Sequence, residues 1–135
     1  MRHLGAQLVE ASSGRCIIEV PLSEALMQQH GFFHAGVSAA IADTASGYAA
    51  LSLMPDNASV LTVEFKINLL NPADGRLLRA TAQVLKPGRT LMVVSASVDV
   101  LKGQEVLRCA EFLGTVFTLR NTKDDGSFAA SGARS

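Results

Sequence analysis

Alternating apolar and polar residues predict a series of β-strands in this chain. The clearest segment, residues 59–70, alternates apolar with polar side chains: Val63, Phe65, Ile67 and Leu69 with Thr62, Glu64, Lys66 and Asn68. This period of two is typical of a strand with one buried face. Segments of similar composition, separated by turn-forming residues, cover residues 4–10, 15–20, 77–86, 90–101 and 105–119. Because short turns at 87–88 and 102–103 join the later segments, the last four strands are predicted to be antiparallel neighbours.

A different periodicity predicts one long helix over residues 34–53. Seven of its 20 residues are Ala, the strongest helix former. Larger side chains recur at steps of three or four and are predicted to face the core: Val37, Ile41, Thr44, Tyr48 and Leu51. A helix of this length spans about 30 Å, and roughly nine strand residues match that length. The predicted fold class is therefore α+β, with one long central helix wrapped by a curved antiparallel sheet of about six strands.

The composition is that of an ordinary globular domain. Of the 135 residues, 48% are apolar and 18% are charged, and one domain is predicted over residues 1–119. Residues 120–135 lack periodicity and are predicted to form a flexible tail. Lys plus Arg and Asp plus Glu number 12 each. This balance argues against a nucleic-acid partner, because such proteins normally carry a basic surplus.

Cysteine use and hydropathy predict a reducing compartment and no membrane partner. Cys16 and Cys109 lie in strand-like segments, where free Cys usually packs as a small core residue. The first residues lack the apolar stretch of a signal peptide, so a cytoplasmic location is expected. Residues 32–54 are long enough to cross a bilayer. They consist mainly of small residues and contain Asp43, however, and this favours a buried helix.

Asp43 is the candidate catalytic group. It is the only formally charged side chain between Glu24 and Asp56, and it lies near the middle of the predicted helix. Burying a carboxylate is unfavourable unless the group is paired or protonated, so a carboxylate kept in such a place often has a function. The alternative is an Asp on a solvent-facing stripe of the helix. The apolar surroundings favour the functional interpretation.

His34 begins the same helix, where unpaired backbone N–H groups can stabilise an oxygen that becomes negative. On its own, a His at a helix start is more often a cap or a packing residue. His34 and Asp43 are nine residues apart, which corresponds to about 13.5 Å along the axis and to opposite sides of the helix. They cannot serve one site within one chain. A site that uses both predicts a homodimer whose two helices lie antiparallel across a two-fold axis.

The residues around the helix start resemble a known family. Gln28-x-x-Gly31-x-x-His34-Ala35-Gly36, followed by Asp43, resembles the pattern Asn-x-x-Gly-x-x-His-Gly-Gly of the PaaI-type (phenylacetic acid degradation) hotdog thioesterases. In that family an acid follows nine residues after the His. Segments 61–65, 68–72, Gly75 and 88–89 are also similar to the family. The resemblance extends over residues 4–119. It implies a hotdog fold that hydrolyses acyl-CoA or related thioesters as a homodimer or as a homotetramer built from two dimers.

The resemblance also implies a role for each matching residue. Asp43 matches the acid that activates water for attack on the thioester carbonyl, or attacks it directly, and Thr62 matches a Ser or Thr that holds the water. The backbone N–H of Ala35 matches the oxyanion hole, and His34 matches the His beside it. Gln28 stands where the family usually has an Asn that contacts the reacting end of the substrate. Two positions depart from the pattern: Gln28 is one methylene longer than Asn, and Ala35 replaces Gly but keeps its N–H.

Coenzyme A is expected only as part of the substrate, with no other cofactor and no metal. Lys86 and Arg89 flank a Pro-Gly turn and are candidates to bind its phosphates, although cations at a hairpin tip are often only solvated. His30 and His34 have a helical metal-ligand spacing, but no further His or Cys follows nearby. Candidates for the wall of an acyl pocket are Phe32, Phe33, Leu51 and Met54.

Two other functions are compatible with the same fold. One is a non-catalytic module that binds or senses acyl-CoA, and the other is a hydratase or dehydratase. Asp43 together with His34-Ala35 argues against the first. The second pairs a His with an acid differently, and the pattern that it requires is not found in the sequence.

Overall fold

The computed structural model describes residues 1–121. Its strands and helix follow the order β1 (Gln7–Ser12), β2 (Arg15–Pro21), α1 (Ala35–Leu51), β3 (Ser59–Leu69), β4 (Leu77–Lys86), β5 (Leu91–Lys102) and β6 (Glu105–Leu119). Single turns of 3-10 helix, Arg2–Leu4 and Glu24–Leu26, precede β1 and α1. The predicted α+β architecture is confirmed. The predicted start of the first strand at Leu4 is wrong, because Gly5 adopts a left-handed conformation, φ 70°, and ends a helical turn there.

The strands form one antiparallel sheet in the order β1-β2-β4-β5-β6-β3. The predicted pairings of β4 with β5 and of β5 with β6 are confirmed. The predicted pairing of β3 with β4 is wrong, because β3 pairs with β6 at one edge and β4 pairs with β2. The connector 70–76 crosses three strand spacings, about 14 Å, which seven residues span easily at about 3.3 Å each. β1, six residues long and interrupted by a bulge between Leu8 and Glu10, forms the opposite edge.

Helix α1 packs a stripe of small residues against the sheet. The buried stripe repeats in pairs: Val37, Ser38, Ile41, Ala42, Ala45, Ser46, Ala49 and Ala50. The predicted core face is only partly correct, because Thr44, Tyr48 and Leu51 are half-buried on the other side of the helix. Asp43 is also half-buried on that side, not fully buried as its apolar surroundings predict. Alanines occupy the sheet-facing positions because a larger side chain would hold the helix away from the strands.

Strand β3 departs most from its predicted side-chain arrangement. A β-bulge between Thr62 and Glu64 inserts Val63 into the strand. Because one extra residue reverses the alternation, Thr62 reaches the helix side, where Phe65 stacks on Phe112 with 5.0 Å between ring centroids. The predicted buried face is largely uncovered: Val63, Phe65 and Leu69 are 44–59% exposed, and Ile67 is half-buried. The sheet therefore ends in an apolar edge strand.

Cys16, in β2, is fully buried, and burial raises the pKa of its thiol to about 11, with a smaller effect from the Glu10 carboxylate. The folded protein thus keeps a proton that the unfolded chain releases near its ordinary pKa of 9.0. This contribution to stability is fully present below about pH 9 and is lost as the pH rises towards 11.

We expect wild type to lose stability more steeply than Cys16→Ala in this range, by roughly 3 kcal/mol at most for two pKa units. Urea unfolding of both proteins at pH 8 and pH 10.5 measures the difference. Cys109 and all other groups titrate in both proteins, so their contributions to the pH dependence of stability cancel in the difference. Parallel pH profiles for the two proteins would contradict the prediction.

Two predictions from the sequence concern a membrane-spanning helix and the C-terminal tail. Within residues 1–121, no helix combines the length and the hydropathy needed to cross a bilayer. The predicted flexible tail, 120–135, lies outside the described residues except for its first two. Arg120 donates a hydrogen bond to the carbonyl of Arg89 at 2.6 Å, and Asn57 donates to Oδ1 of Asn121 at 3.0 Å.

Candidate active site

The start of α1 leaves one backbone donor without a partner. His34 is the N-cap, with φ −65° and ψ 139°, and its Nδ1 accepts a hydrogen bond from the Gly36 N–H at 3.1 Å. The Val37 N–H donates to the His34 carbonyl at 2.9 Å. Between residues 1 and 121, the Ala35 N–H has no acceptor, as expected for the first residue of a helix. It therefore presents a free donor at the positive end of the helix dipole.

The hydrogen bond to Nδ1 also decides what His34 offers to a ligand. An imidazole nitrogen that accepts a hydrogen bond carries no proton. In the neutral ring the proton is then on Nε2. His34 therefore presents a second donor, its Nε2–H, beside the Ala35 amide.

A cavity of about 610 Å³ opens at this helix start. Its wall comes from the loop before α1, the first turn of α1, the end of β3 with its connector, and the start of β6: Gln28, Phe32, Phe33, His34, Ala35, Ser38, Leu69, Leu70, Asn71, Pro72, Ala73 and Cys109. The wall is mostly apolar, with a small number of polar groups. Such a cavity suits a ligand with an apolar body and one polar end.

Backbone hydrogen bonds hold the loop and the connector together. The Phe33 N–H donates to the Ala73 carbonyl at 3.0 Å, and the Gln28 N–H donates to the Phe32 carbonyl at 2.8 Å. Gly31 has φ 83°, a left-handed conformation that glycine adopts without strain and that closes this loop. The Gln28 Oε1 accepts from the His30 N–H. Its Nε2 group donates to no residue within 1–121, so its two N–H donors remain for a ligand.

Asp43 and Thr62 form a second, separate polar group. Thr62 Oγ1 donates a hydrogen bond to Asp43 Oδ1 at 2.7 Å, which the bulge in β3 makes possible. Neither residue lines the cavity. Asp43 lies eight residues beyond Ala35, about 12 Å along the helix axis. One chain therefore brings Gln28, His34 and Ala35 together, and it brings Asp43 and Thr62 together, but it does not join the two groups.

Lys86 and Arg89 lie away from both groups. They occupy the end of β4 and the turn into β5, at the end of the sheet that adjoins the C-terminus of α1. Both are exposed, and no ion pair with either of them is found within residues 1–121. Arg120 bonds to the Arg89 carbonyl, so a third cation lies at the same end.

Only part of the cavity wall was predicted from the sequence. Phe32 and Phe33 line it, whereas Leu51 and Met54 of the same chain lie at the other end of α1. The pattern gave no role to Ser38, to the connector residues 70–73 or to Cys109. Ser38 is one helical turn after Ala35, which is a usable signal, but Cys109 reaches the cavity only through the pairing of β6 with β3.

Cys109 packs in the cavity wall as a neutral thiol. Burial raises its pKa, and a hydrogen bond with Ser38 partly offsets this. In the part of the chain that the structure describes, no three His, Cys, Asp or Glu side chains come close enough to hold a metal ion.

The sequence pattern of the Thioesterase superfamily matches residues 30–107, which include the helix start, the Asp43–Thr62 pair and Lys86 and Arg89. The chain belongs to the thioesterase superfamily. A thioesterase family protein from Silicibacter pomeroyi is 45% identical, with a TM-score of 0.87, covering 89% of this chain and 88% of that one. The 1,4-dihydroxy-2-naphthoyl-CoA hydrolase of Listeria monocytogenes is 30% identical over 67% of this chain and 73% of its own length.

The fold of this thioesterase superfamily member is the predicted hotdog fold. The E. coli PaaI protein from the phenylacetic acid degradation operon has the same fold, with a TM-score of 0.79 at 23% identity over 91% of this chain and 86% of that one. The prediction of a hotdog-fold thioesterase is confirmed, and the protein is a thioester hydrolase. The roles of individual residues remain predictions.

Proposed function

We propose that the protein hydrolyses acyl-CoA thioesters in a site shared by two copies of the chain. The family and the Listeria relative, whose name gives a CoA thioester as its substrate, support the substrate class. The free amide of Ala35 supplies a donor for the carbonyl oxygen, and Asp43 supplies the carboxylate. These two parts do not meet within one chain, so the reaction needs a second copy.

The observation that carries this proposal is the position of β3. Near its start, Thr62 contacts Asp43; at its end, Leu69 lines the cavity at the helix start. If two copies pair β3 antiparallel across a central two-fold axis, the Thr62 end of one strand lies beside the Leu69 end of the other. Paired strands are about 4.8 Å apart. Each Asp43 then faces the cavity of the other copy, and symmetry generates two equivalent sites.

The exposed side chains of β3 favour the same pairing. It is an edge strand of 11 residues, and its backbone can accept a further strand. Its exposed Leu61, Val63, Phe65 and Leu69 would be covered by a second copy. Across the two-fold axis, the half-buried stripe of α1 that carries Asp43 would also find a partner.

The chemistry then follows from the groups that face the thioester. Asp43 takes a proton from a water molecule, and the water oxygen bonds to the carbonyl carbon. The carbonyl oxygen gains negative charge and accepts from the Ala35 N–H, a donor worth about 2.7–4 kcal/mol in such sites. Collapse of the intermediate breaks the C–S bond and releases the thiolate of CoA. Thr62 donates to Oδ1 and so leaves Oδ2 to contact the water.

In the second possible route, Asp43 bonds to the carbonyl carbon directly, and water then hydrolyses the resulting anhydride. Single turnover in ¹⁸O-labelled water reveals the second route when water attacks the Asp43 carboxyl carbon of the anhydride. Label enters the Asp43 carboxylate only in the second. Gln28 and His34 have the same role in both routes. The Gln28 Nε2 and the His34 Nε2–H contact the reacting end of the substrate from the cavity wall.

Lys86 and Arg89 are proposed to bind the phosphates of CoA. They lie at the C-terminal end of α1, which the antiparallel arrangement brings towards the helix start of the second copy. Cations that pair with no acid of their own domain are available to an anionic ligand.

Complementation between two inactive variants tests the shared site. Co-expressed Asp43→Asn and Ala35→Pro chains with different tags allow the mixed dimer to be purified. One of its two sites then combines the intact Ala35 of the first chain with the intact Asp43 of the second. We expect about half of the wild-type rate of thiol release from acyl-CoA per dimer.

The matched control is a dimer of two differently tagged Asp43→Asn chains, which stays inactive. A mixed dimer as inactive as either parent would mean that each site is built within one chain, and the proposal would fall. Light scattering on the same samples shows whether two such dimers join into the predicted homotetramer.

A further inference from the structure

Asn71 lines the cavity, and hydrogen bonds hold both its side chain and its backbone. Its Nδ2 donates a hydrogen bond to the Arg108 carbonyl at 2.8 Å, and its backbone N–H donates to the Cys109 carbonyl at 3.4 Å. The preceding residue is held as well, because the Leu70 N–H donates to the same carbonyl at 2.8 Å. One of the two Nδ2 hydrogens is thus engaged, and Oδ1 accepts from no group within residues 1–121, so Oδ1 is free to accept a hydrogen bond from a ligand.

This acceptor differs from the other polar groups of the cavity wall. The groups at the helix start that remain for a ligand are donors: the Ala35 N–H, the His34 Nε2–H and the Gln28 Nε2. They suit the carbonyl oxygen of a thioester. Ser38 lies beside the Cys109 thiol and partly offsets the rise in its pKa that burial causes. Asn71 Oδ1 can pair only with a donor of the substrate, and the thioester group itself has none.

A pantetheine thioester carries such a donor close to the reacting bond. Two methylene groups separate its sulfur from an amide N–H, a distance of about 4 Å by the bond lengths. Asn71 lies in the same cavity wall as Ala35, on the connector that is bonded through Ala73 to Phe33. An acceptor at that position matches the first amide of the pantetheine arm.

We propose that Asn71 Oδ1 accepts a hydrogen bond from this amide N–H, which makes Asn71 a specificity-determining residue for the thiol half of the substrate. The inference rests on the proposed hydrolysis of acyl-CoA thioesters and names the part of the thiol that is recognised. A thioester whose thiol lacks this N–H leaves Oδ1 without a partner in the occupied cavity and is hydrolysed more slowly.

Two small substrates with the same acyl group test the assignment. One is the thioester of N-acetylcysteamine, and the other is its ester analogue, in which oxygen replaces the amide N–H. We expect wild type to prefer the amide by about tenfold in kcat/KM, or about 1.4 kcal/mol. In Asn71→Ala and Asn71→Leu, the ratio of kcat/KM for the amide to kcat/KM for the ester falls to about one. The amide substrate loses its acceptor, whereas the ester formed no hydrogen bond with Asn71 that could be lost.

Two further variants separate recognition from structure. Asn71→Asp keeps an acceptor but loses the bond to the Arg108 carbonyl, so it retains the preference for the amide. Gln104→Ala removes an exposed amide from the turn between β5 and β6 and leaves the ratio at the wild-type value. Circular dichroism and thermal melting show that each variant is folded.

The outcomes distinguish this inference from the proposed function. Hydrolysis of both substrates by wild type with equal kcat/KM overturns the role of Asn71 and leaves thioester hydrolysis standing. An unchanged ratio in folded Asn71→Ala also overturns it. A changed preference of Asn71→Ala for hydroxylated over plain acyl groups also overturns it, because Oδ1 would then contact the acyl half of the substrate. Failure of wild type to hydrolyse either substrate, or acyl-CoA, overturns both.

Discussion

Asp43→Asn is expected to lower kcat for acyl-CoA hydrolysis by about 10²–10⁴-fold, the usual contribution of a positioned base. Asn has the same shape as Asp and keeps an oxygen for the Thr62 hydroxyl, so the hydrogen bond at 2.7 Å can persist. It has no carboxylate to take a proton from water or to attack the carbonyl. The loss should therefore appear in kcat, with little change in KM. Thiol release from a panel of acyl-CoA esters measures it.

The matched control is Asp56→Asn, which removes an exposed carboxylate shortly after the same helix. It should keep wild-type kcat. Thermal melting and light scattering are expected to give the same values for both variants and for wild type. A kcat within a few-fold of wild type in folded Asp43→Asn would show that Asp43 has a structural role only.

Ala35→Pro is expected to lower kcat/KM by about 10²–10³-fold, because it deletes one backbone donor to the oxyanion. Proline has no N–H, and the first helical position tolerates its ring. The preceding residue, His34, already has φ −65° and ψ 139°, the extended conformation that a following proline requires. Ala35 is exposed, so the ring meets no packed neighbour. The substitution therefore replaces the N–H of the site with a ring carbon and leaves the helix intact.

Ala35→Gly is the matched control. It changes the side chain as well but keeps the N–H, and the resembling family has Gly at this position. Activity close to wild type is expected, with a small loss of helix stability of at most about 1 kcal/mol. If Ala35→Gly and Ala35→Pro lost activity equally, the side chain rather than the amide would be responsible, and the oxyanion hole would lie elsewhere.

The sequence was sufficient to predict the helix, its cap and the hairpins from β4 to β6. Each of these depends on residues close together in the chain: an Ala-rich run ended by Pro55, a His followed by small residues, and Pro-Gly or Lys-Gly turns. The position of β3 could not be predicted in the same way. Its pairing with β6 depends on where a seven-residue connector leads, and turn residues do not encode that direction.

The residues of the candidate site also divide into those that are close together in the chain and those that long-range strand pairing brings together. His34, Ala35 and Gln28 share one short segment, and the structure brings them together. Asn71 and Cys109 were not predicted, because they reach the cavity through long-range strand pairing. Thr62 was identified only through the family pattern; its alternation in the sequence directs it away from the helix, and the bulge at Val63 reverses this. A β-bulge cannot be predicted from a pattern of apolar and polar residues.

The two edges of the sheet have unequal capacity to recruit another strand. β3 is long and apolar, whereas β1 has six residues, a bulge between Leu8 and Glu10, and a Glu10 carboxylate engaged by Arg15. Once two copies have joined through β3, only the short β1 edges remain at either end of the combined twelve-stranded sheet. Irregular, charged edges resist further strand addition. Growth by strand pairing would thus stop at two chains, so that the surface which completes the active site does not also seed fibres.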